Sequence, residues 1–302
     1  TKMIVEAANQ IILKNQDQLK KNVWTSNDSG DKIKLIKCLS ETEEGNFIAN
    51  EILETKDNKN LTEDSFAILY RTNAQSRAIE EALRRKNIHY RIYGGLSFYQ
   101  RKEIKDLLAY FKMCVNPNDE EAFKRILNYP ARGIGQTTKD KITIAASEEG
   151  VSPWQLIMNL KGAHLPINAG TAKKISEFCN LIQSFQVMAE TTNAYDLGNH
   201  IASTTGMLRE FYVDKSPEGV SRYENIQELL SGMKEFTEIE VEEEELEVNN
   251  PRSLGKFLED VALLTDVDAK DSKDDEQPKV SMMTIHSAKG LEFPYVFIAG
   301  LE

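Results

Sequence analysis

The sequence predicts an α/β fold in which a discontinuous parallel-sheet domain is interrupted by an inserted all-α domain. Three observations carry this. First, the compact apolar runs "SFAILYR" (65–71) and "HYRIYG" (89–94) alternate with helical periodicity, and strands alternating with helices imply a parallel sheet covered by its own crossovers. Second, from Arg101 to about Glu238 the apolar residues recur at helical spacing with no convincing strand between them. Third, strand character returns only at the far end, in "KVSMMTIH" (279–286) and "YVFIAG" (295–300). Two strands after a helical domain have nothing to pair with unless they join the first sheet. The expected division is therefore 1–112 with 279–302 as one domain and 113–278 as its guest.

Taken in order, the chain opens with helical periodicity from Lys2 to Leu19, and the β-branched content of "KIKLIKCL" (32–39) predicts a strand. A helix near Glu43 to Glu54, the strand 65–71, an amphipathic helix from Ala74 to Arg85 and the strand 89–94 follow. The helical middle reads from "EIKDLLAYF", "AFKRIL", "AKKISEFCNLIQSF" and "NIQELLSGM", with breaks at Asn116-Pro117, Pro130, Pro153, Pro166 and Pro217. Two acidic stretches, "EIEVEEEELEV" and "DVDAKDSKDDEQP", flank one more helix at Leu254 to Leu264, and the second has the composition of a linker.

At 302 residues and 34.2 kDa the chain has room for two cores. No apolar run approaches the roughly 20 residues that cross a bilayer, so no membrane partner is expected. Cys38, Cys114 and Cys179 are far apart, which fits neither a disulfide framework nor a metal pair and points to a reducing, cytoplasmic setting. The net charge of −11 argues against nucleic acid as a partner. Its distribution softens that objection: residues 71–141 carry fifteen Lys/Arg against eight Asp/Glu, whereas residues 237–278 carry four against fifteen.

Four stretches carry chemistry. In "YRTNAQSRAIEEALRR" (70–85) a strand ends at Arg71, and Thr72, Asn73, Gln75, Ser76 and Arg77 cluster at the turn into a helix. That is the carboxyl edge where open α/β sheets bind ligands, and helix-start amides with Arg and Asn suit phosphate oxygens. Thr72 or Asn73 also serves as a helix cap, which does not account for two arginines around one turn. In "RGIGQTTKDKI" (132–142), Gly133 and Gly135 flank Ile134 and lead into a helix with Thr137 and Thr138 in its first turn; this suits a duplex backbone, and equally a plain helix–helix turn. "MMTIHSAKGLEF" (282–293) delivers Thr284 and His286 to a sheet edge, with Lys289, Gly290 and Glu292 beyond. "FYQRKEIKDLLAYF" (98–111) sets Arg101, Lys102 and Lys105 on the first turns of a helix, where solvated cations are an equally good reading. The sequence contains no G-x-x-x-x-G-K-[ST] loop and no carboxylate cluster resembling a Mg²⁺ site, so no metal ligand and no catalytic residue is assigned.

"ILYRTNAQSR", "FYQRKEIKDLLAYF", "RGIG" and "TIHSAKGLEF", in this order and spacing, closely resemble the bacterial superfamily 1 DNA helicases of the UvrD/PcrA/Rep type. The resemblance implies a RecA-like fold for the sheet domain, here the second of two motor domains, with its helical insertion. It implies a parent enzyme that is an ATP-dependent DNA helicase moving 3′ to 5′ on single strands in repair or replication. ATP and Mg²⁺ would be its cofactors, their main motifs lying before Thr1 and after Glu302, so that this chain is an excised piece or truncated form, inactive alone. Carried over residue by residue, it implies that Arg71, Asn73, Arg77, Thr284 and His286 meet single-stranded DNA. Gly133, Ile134, Gly135, Thr137 and Thr138 would meet duplex phosphates, and Glu292, Gly290 and Lys289 would face ATP. The partners expected are single-stranded and junction DNA, ATP, and repair or polymerase proteins met through the insertion. Two rivals stand beside this: a non-catalytic module that binds DNA junctions or a partner protein, and the helicase subunit of a helicase–nuclease.

Overall fold

A computed structural model describes residues 1–15, 22–159, 165–238, 252–271 and 277–301, those at 266–271 by backbone only. The chain forms two compact units, Thr1–Leu39 and Ser40–Glu302. The first holds helix α1, Lys2–Ile12. The sequence expectation of a longer helix runs into residues 16–21, outside the described ones. The expected strand at 32–39 is absent: that stretch has irregular backbone, with Leu35 and Leu39 85% and 91% exposed. β-Branched residues favour a strand only where a pleated neighbour receives them, and none of the described strands pairs with this stretch.

The second unit is built on a four-stranded parallel sheet of β1 (Phe66–Tyr70), β2 (Tyr90–Tyr93), β3 (Val280–Thr284) and β4 (Tyr295–Ile298), in the order β2-β3-β1-β4. The strand near the C-terminal end of the chain thus lies between two from its first third, with Tyr70 opposite Thr284 and Ile92 opposite Met282. The sequence explains the order. β1 and β3 are buried on both faces along almost their whole length, and are mainly apolar, whereas β2 and β4 alternate half-buried and exposed residues, as flanking strands should.

Helix α2 (Glu41–Lys59) starts on a Ser40 cap that accepts from the Glu43 amide and ends at Asn60, whose φ of 51° stops the helix. It lies close against α3 (Ser76–Arg85), because a Cβ at Gly45 would come within 2.7 Å of the Ala78 carbonyl oxygen. α3 departs from the amphipathic expectation. Ser76 through Arg84 are all buried, charged residues included, so its polar side must be satisfied by protein rather than by water.

The described middle is helical, as expected: α4 (Lys102–Val115), α5 (Glu120–Ile126), α6 (Gln136–Glu149), α7 (Pro153–Met158), α8 (Ala169–Ala189), α9 (Ala194–Thr204), α10 (Met207–Val213), α11 (Pro217–Glu238) and α12 (Leu254–Asp271). The predicted breaks fall where the proline ring allows: Pro153 and Pro217 open α7 and α11, positions that need no amide hydrogen. α12 runs into the stretch read as an acidic linker, whose residues 272–276 lie outside the described ones, as do residues 239–248 of the other acidic stretch.

Two separate cores result. One gathers Ile48, Ile52, Phe66, Ile68, Ile79, Leu83, Val280 and Met282 around the sheet; the other runs from Phe98 to Val261 among the helices. α4, placed by the sequence reading largely with the sheet, gives its apolar face to the helical core. Cys114 and Cys179 are free and buried, and burial pushes both thiols up to about 12. No described helix is long and apolar enough to cross a membrane.

Candidate nucleic-acid interface

Because the strands are parallel, their carboxyl ends share one edge, and the residues singled out in the sequence arrive there from distant segments. Arg71 follows β1 and His286 follows β3. The Ile285 amide donates to the Tyr70 carbonyl, and Arg71 Nη1 lies 3.3 Å from His286 Nδ1 across a separation of 215 residues. A guanidinium can only donate, so Nδ1 accepts and the ring proton sits on Nε2. Arg71 and His286 are both exposed; Asn73 and Thr284 are half-buried beside them.

The loops that hold these groups are fixed by their own hydrogen bonds. Gln75 Oε1 accepts from the amides of Arg71 (2.9 Å) and Thr72 (3.1 Å), and Gln75 Nε2 reaches the Gly300 carbonyl after β4 at 3.5 Å. Only glycine fits at 300: φ is +64°, and a Cβ there would fall 2.0 Å from Gln75 Nε2. The Thr284 hydroxyl accepts from the Ser287 amide and meets the Ser287 hydroxyl at 2.9 Å, closing the turn that carries His286. Past β2, Gly94 and Gly95 approach Ser287 and Asn73. Three strand ends thus present a cation, an imidazole, hydroxyls and an amide on one rim. This is chemistry suited to a charged backbone without sequence readout.

Arg77 does not share that rim. Its side chain is only 3% exposed, and Nε donates to Glu228 Oε1 of α11 at 2.7 Å while Nη1 meets Glu81 at 3.3 Å. The expectation that it contacts a strand is corrected accordingly: Arg71 ends a strand and faces out, whereas Arg77 lies in α3 with its guanidinium turned into the protein. Burial pushes the Glu228 carboxyl up to about 7, with the Arg77 guanidinium opposing that rise and Glu41 adding to it. Arg101 is likewise no solvated cation. It is 7% exposed and donates to Ser76 Oγ (2.7 Å) and Asn225 Oδ1 (2.8 Å), whereas Lys102 and Lys105 are exposed.

Sequence reasoning missed Glu80, the most heavily bonded carboxylate of this region. Fully buried, it accepts from Ser76 Oγ, Arg84 Nη2, Tyr90 OH, Ser97 Oγ and the Phe98 amide at 2.7–3.1 Å. The available signal was the pair of i, i+4 charges, Glu80 and Arg84, which shares α3 with three further charged residues and so did not stand out.

At the second candidate site, Gly133 has φ +71° and is exposed, and the loop around it is shaped by Asn128 Oδ1, which accepts from the amides of Arg132 and Ile134 at 3.0 and 2.9 Å. Ile134 is fully buried and its amide is engaged, so it anchors the loop and presents nothing outward. Gly135 caps α6 with no side-chain capping bond; it and Thr137 are exposed, and Thr138 is half-buried. Lys174 of α8 brings its ammonium 3.4 Å from the Gly133 carbonyl, a neighbour that sequence spacing could not supply. The amides at the start of a 14-residue helix, two exposed glycines and a lysine make a surface on which a phosphate can rest.

Lys289, Gly290 and Glu292 all lie on the exposed loop after β3, Gly290 at φ +87° with open space where a Cβ would be. They offer one ammonium and one carboxylate to a nucleotide's edge. They do not make a triphosphate cradle, and among the described residues no group of three or more His, Cys, Asp or Glu is placed to hold a metal ion.

Comparison with known proteins gives a consistent picture. A family model described as the UvrD-like helicase C-terminal domain matches residues 1–302. The ATP-dependent DNA helicase PcrA of Bacillus subtilis (strain 168) is 40% identical over 305 aligned positions, covering 100% of this chain and 40% of the relative. The proteins of the same name from Leuconostoc citreum and Staphylococcus aureus (strain Mu50 / ATCC 700699) are each 36% identical, again across 100% of this chain and 39% and 40% of their own length. The chain thus spans about two fifths of the length of these curated relatives.

Proposed function

We propose, for a chain that belongs to the UvrD-like helicase C-terminal domain family, that it supplies the DNA contacts and one wall of the ATP cleft in an ATP-dependent DNA helicase that moves 3′ to 5′ on a single strand. The observation that carries this reading is the convergence of Arg71 and His286, 215 residues apart in sequence, to 3.3 Å on one sheet edge. Arg71, Asn73, Thr284 and His286 grip the strand. Gly133, Gly135, Thr137 and Thr138 rest on duplex phosphates, with Ile134 as their buried anchor. Glu292, Gly290 and Lys289 face the nucleotide, whose triphosphate and Mg²⁺ are held by motifs this sequence does not contain. The division into 1–112 with 279–302 and 113–278 belongs to the same proposal, supported by the two separate cores. Helicases named as relatives, matched across this whole chain, favour a motor over a non-catalytic binding module. Repair or replication in the cytoplasm, with partner proteins met through the helical part, completes the reading.

The test uses a position where substitution costs the protein nothing. Gly135 has φ −73° and no atom within 4 Å of where a Cβ would stand, so Gly135→Val leaves the fold intact and obstructs only what approaches from outside. Duplex affinity, measured by fluorescence anisotropy, should fall by at least about tenfold, the loss of one charge-assisted contact. Single-strand affinity should be unchanged. Equal loss of both would show that the loop has been misassigned.

A further inference from the structure

Two arginines join the first turn of α3 to one face of α11. Arg101 bridges Ser76 Oγ to Asn225 Oδ1, and Asn225 Nδ2 in turn donates to Glu103 Oε1 at 2.6 Å. Beside it Arg77 reaches Glu228, three residues further along α11, at 2.7 Å. The same guanidinium lies 3.6 Å from Glu235 of α11 and 3.7 Å from Glu41 of α2, so four carboxylates from three helices surround one cation. α11 is cut to receive it: a Cβ at Gly232 would stand 2.6 Å from Arg77 Nη1 and 2.7 Å from Cζ.

An ion pair this deeply buried is a poor source of net stability, since desolvation offsets most of its attraction. What it supplies is direction. Glu228 and Glu235 restrict how α11 can lie against α3, and α3 begins only a few residues after Arg71 and Asn73. We propose that Arg77 is a positioning residue. Seated on Glu228, Gly232 and Glu235, it fixes the helical segment relative to the strand-binding rim, so that the rim and the Gly133–Thr138 loop engage one DNA molecule together. This rests on the reading of both surfaces as DNA contacts. Two sites held at a fixed spacing convert the second contact into an intramolecular one, giving tailed duplex an affinity surplus over either arm alone.

The experiment compares the 302-residue chain, Arg77→Gln and Gly232→Ala for binding to oligodeoxythymidylate, a blunt duplex, and that duplex with a 3′ single-stranded tail. The unaltered chain should bind the tailed duplex more tightly than either arm. Both variants should cut that surplus by at least about tenfold while leaving each arm's affinity within about twofold of the unaltered chain, a split that general loss of structure would not produce. Should Arg77→Gln fail to fold, Gly232→Ala, which keeps the charge and crowds its seat, decides the matter. The proposal is overturned if a folded variant loses single-strand affinity as much as tailed-duplex affinity, if the tailed duplex binds as before, or if the unaltered chain shows no surplus while binding both arms. Failure of the unaltered chain to bind either arm would overturn the reading of the two DNA surfaces, and this inference with it.

Discussion

Replacing Glu80 with alanine should cost the unit from Ser40 to Glu302 about 3–5 kcal/mol, the toll of removing one partner from a buried ionic network. The carboxylate is fully buried and holds five donors at once. Ser76 and Arg84 belong to α3, Tyr90 to β2, and Ser97 with the Phe98 amide to the segment where the sheet core gives way to the helical core. Alanine would take from the Arg84 guanidinium, the Ser76 hydroxyl and the Phe98 amide, all buried, the acceptor they share, and a buried donor that loses its acceptor is costly. The midpoint of thermal unfolding followed by circular dichroism should drop on the order of 10 °C. Glu80→Gln, which keeps a carbonyl acceptor and the shape, should lose less. A Glu80→Ala protein that melts with the unaltered chain would mean that the network is not formed as described.

Arg71→Ala should weaken binding of a single-stranded oligonucleotide by roughly 10- to 150-fold, the equivalent of about 1.5–3 kcal/mol for a charge-assisted hydrogen bond to phosphate. Because the side chain is exposed and no carboxylate is its described partner, the substitution should leave thermal stability almost unchanged. The loss is electrostatic, so the slope of log affinity against log salt concentration should become shallower by about 0.7, the single-strand value for one phosphate contact. His286→Ala should weaken binding less, and the two effects should fall short of additive, since the side chains touch and each orients the other. Undiminished affinity with an unchanged salt slope would remove Arg71 from the interface.

The sheet was legible in the sequence because burial on both faces leaves a mark. "FAILY" is apolar but for the tyrosine hydroxyl and "VSMMT" is buried but for its last residue, Ser281 included, and a pair of late strands had only the early ones to join. The strand expected at 32–39 rested on β-branched content without a continuous apolar run, and that stretch has irregular backbone. Along α3, periodicity showed which residues are apolar and could not show that the polar ones are also covered, because the cover comes from Asn225, Glu228 and Glu235, far along the chain. Arg77 and Arg101 were misread for that reason: an arginine near a ligand-binding turn looks alike in sequence whether it faces phosphate or a buried carboxylate. At the Gly133 loop the glycines were visible, whereas Asn128, which shapes the loop, and Lys174, which approaches from another helix, carry no local signature.

One nucleic-acid strand is expected to lie across a rim assembled from both ends of the 40–302 unit. Photo-crosslinking a single-stranded oligonucleotide carrying photoreactive thymines to this chain, followed by mass spectrometry of the adducts, tests it most directly. Adducts are expected on peptides containing residues 71–73 and on peptides containing residues 284–287, both competed away by unlabelled strand. Adducts confined to the helical segment between residues 113 and 238, with neither end of the rim labelled, would contradict it.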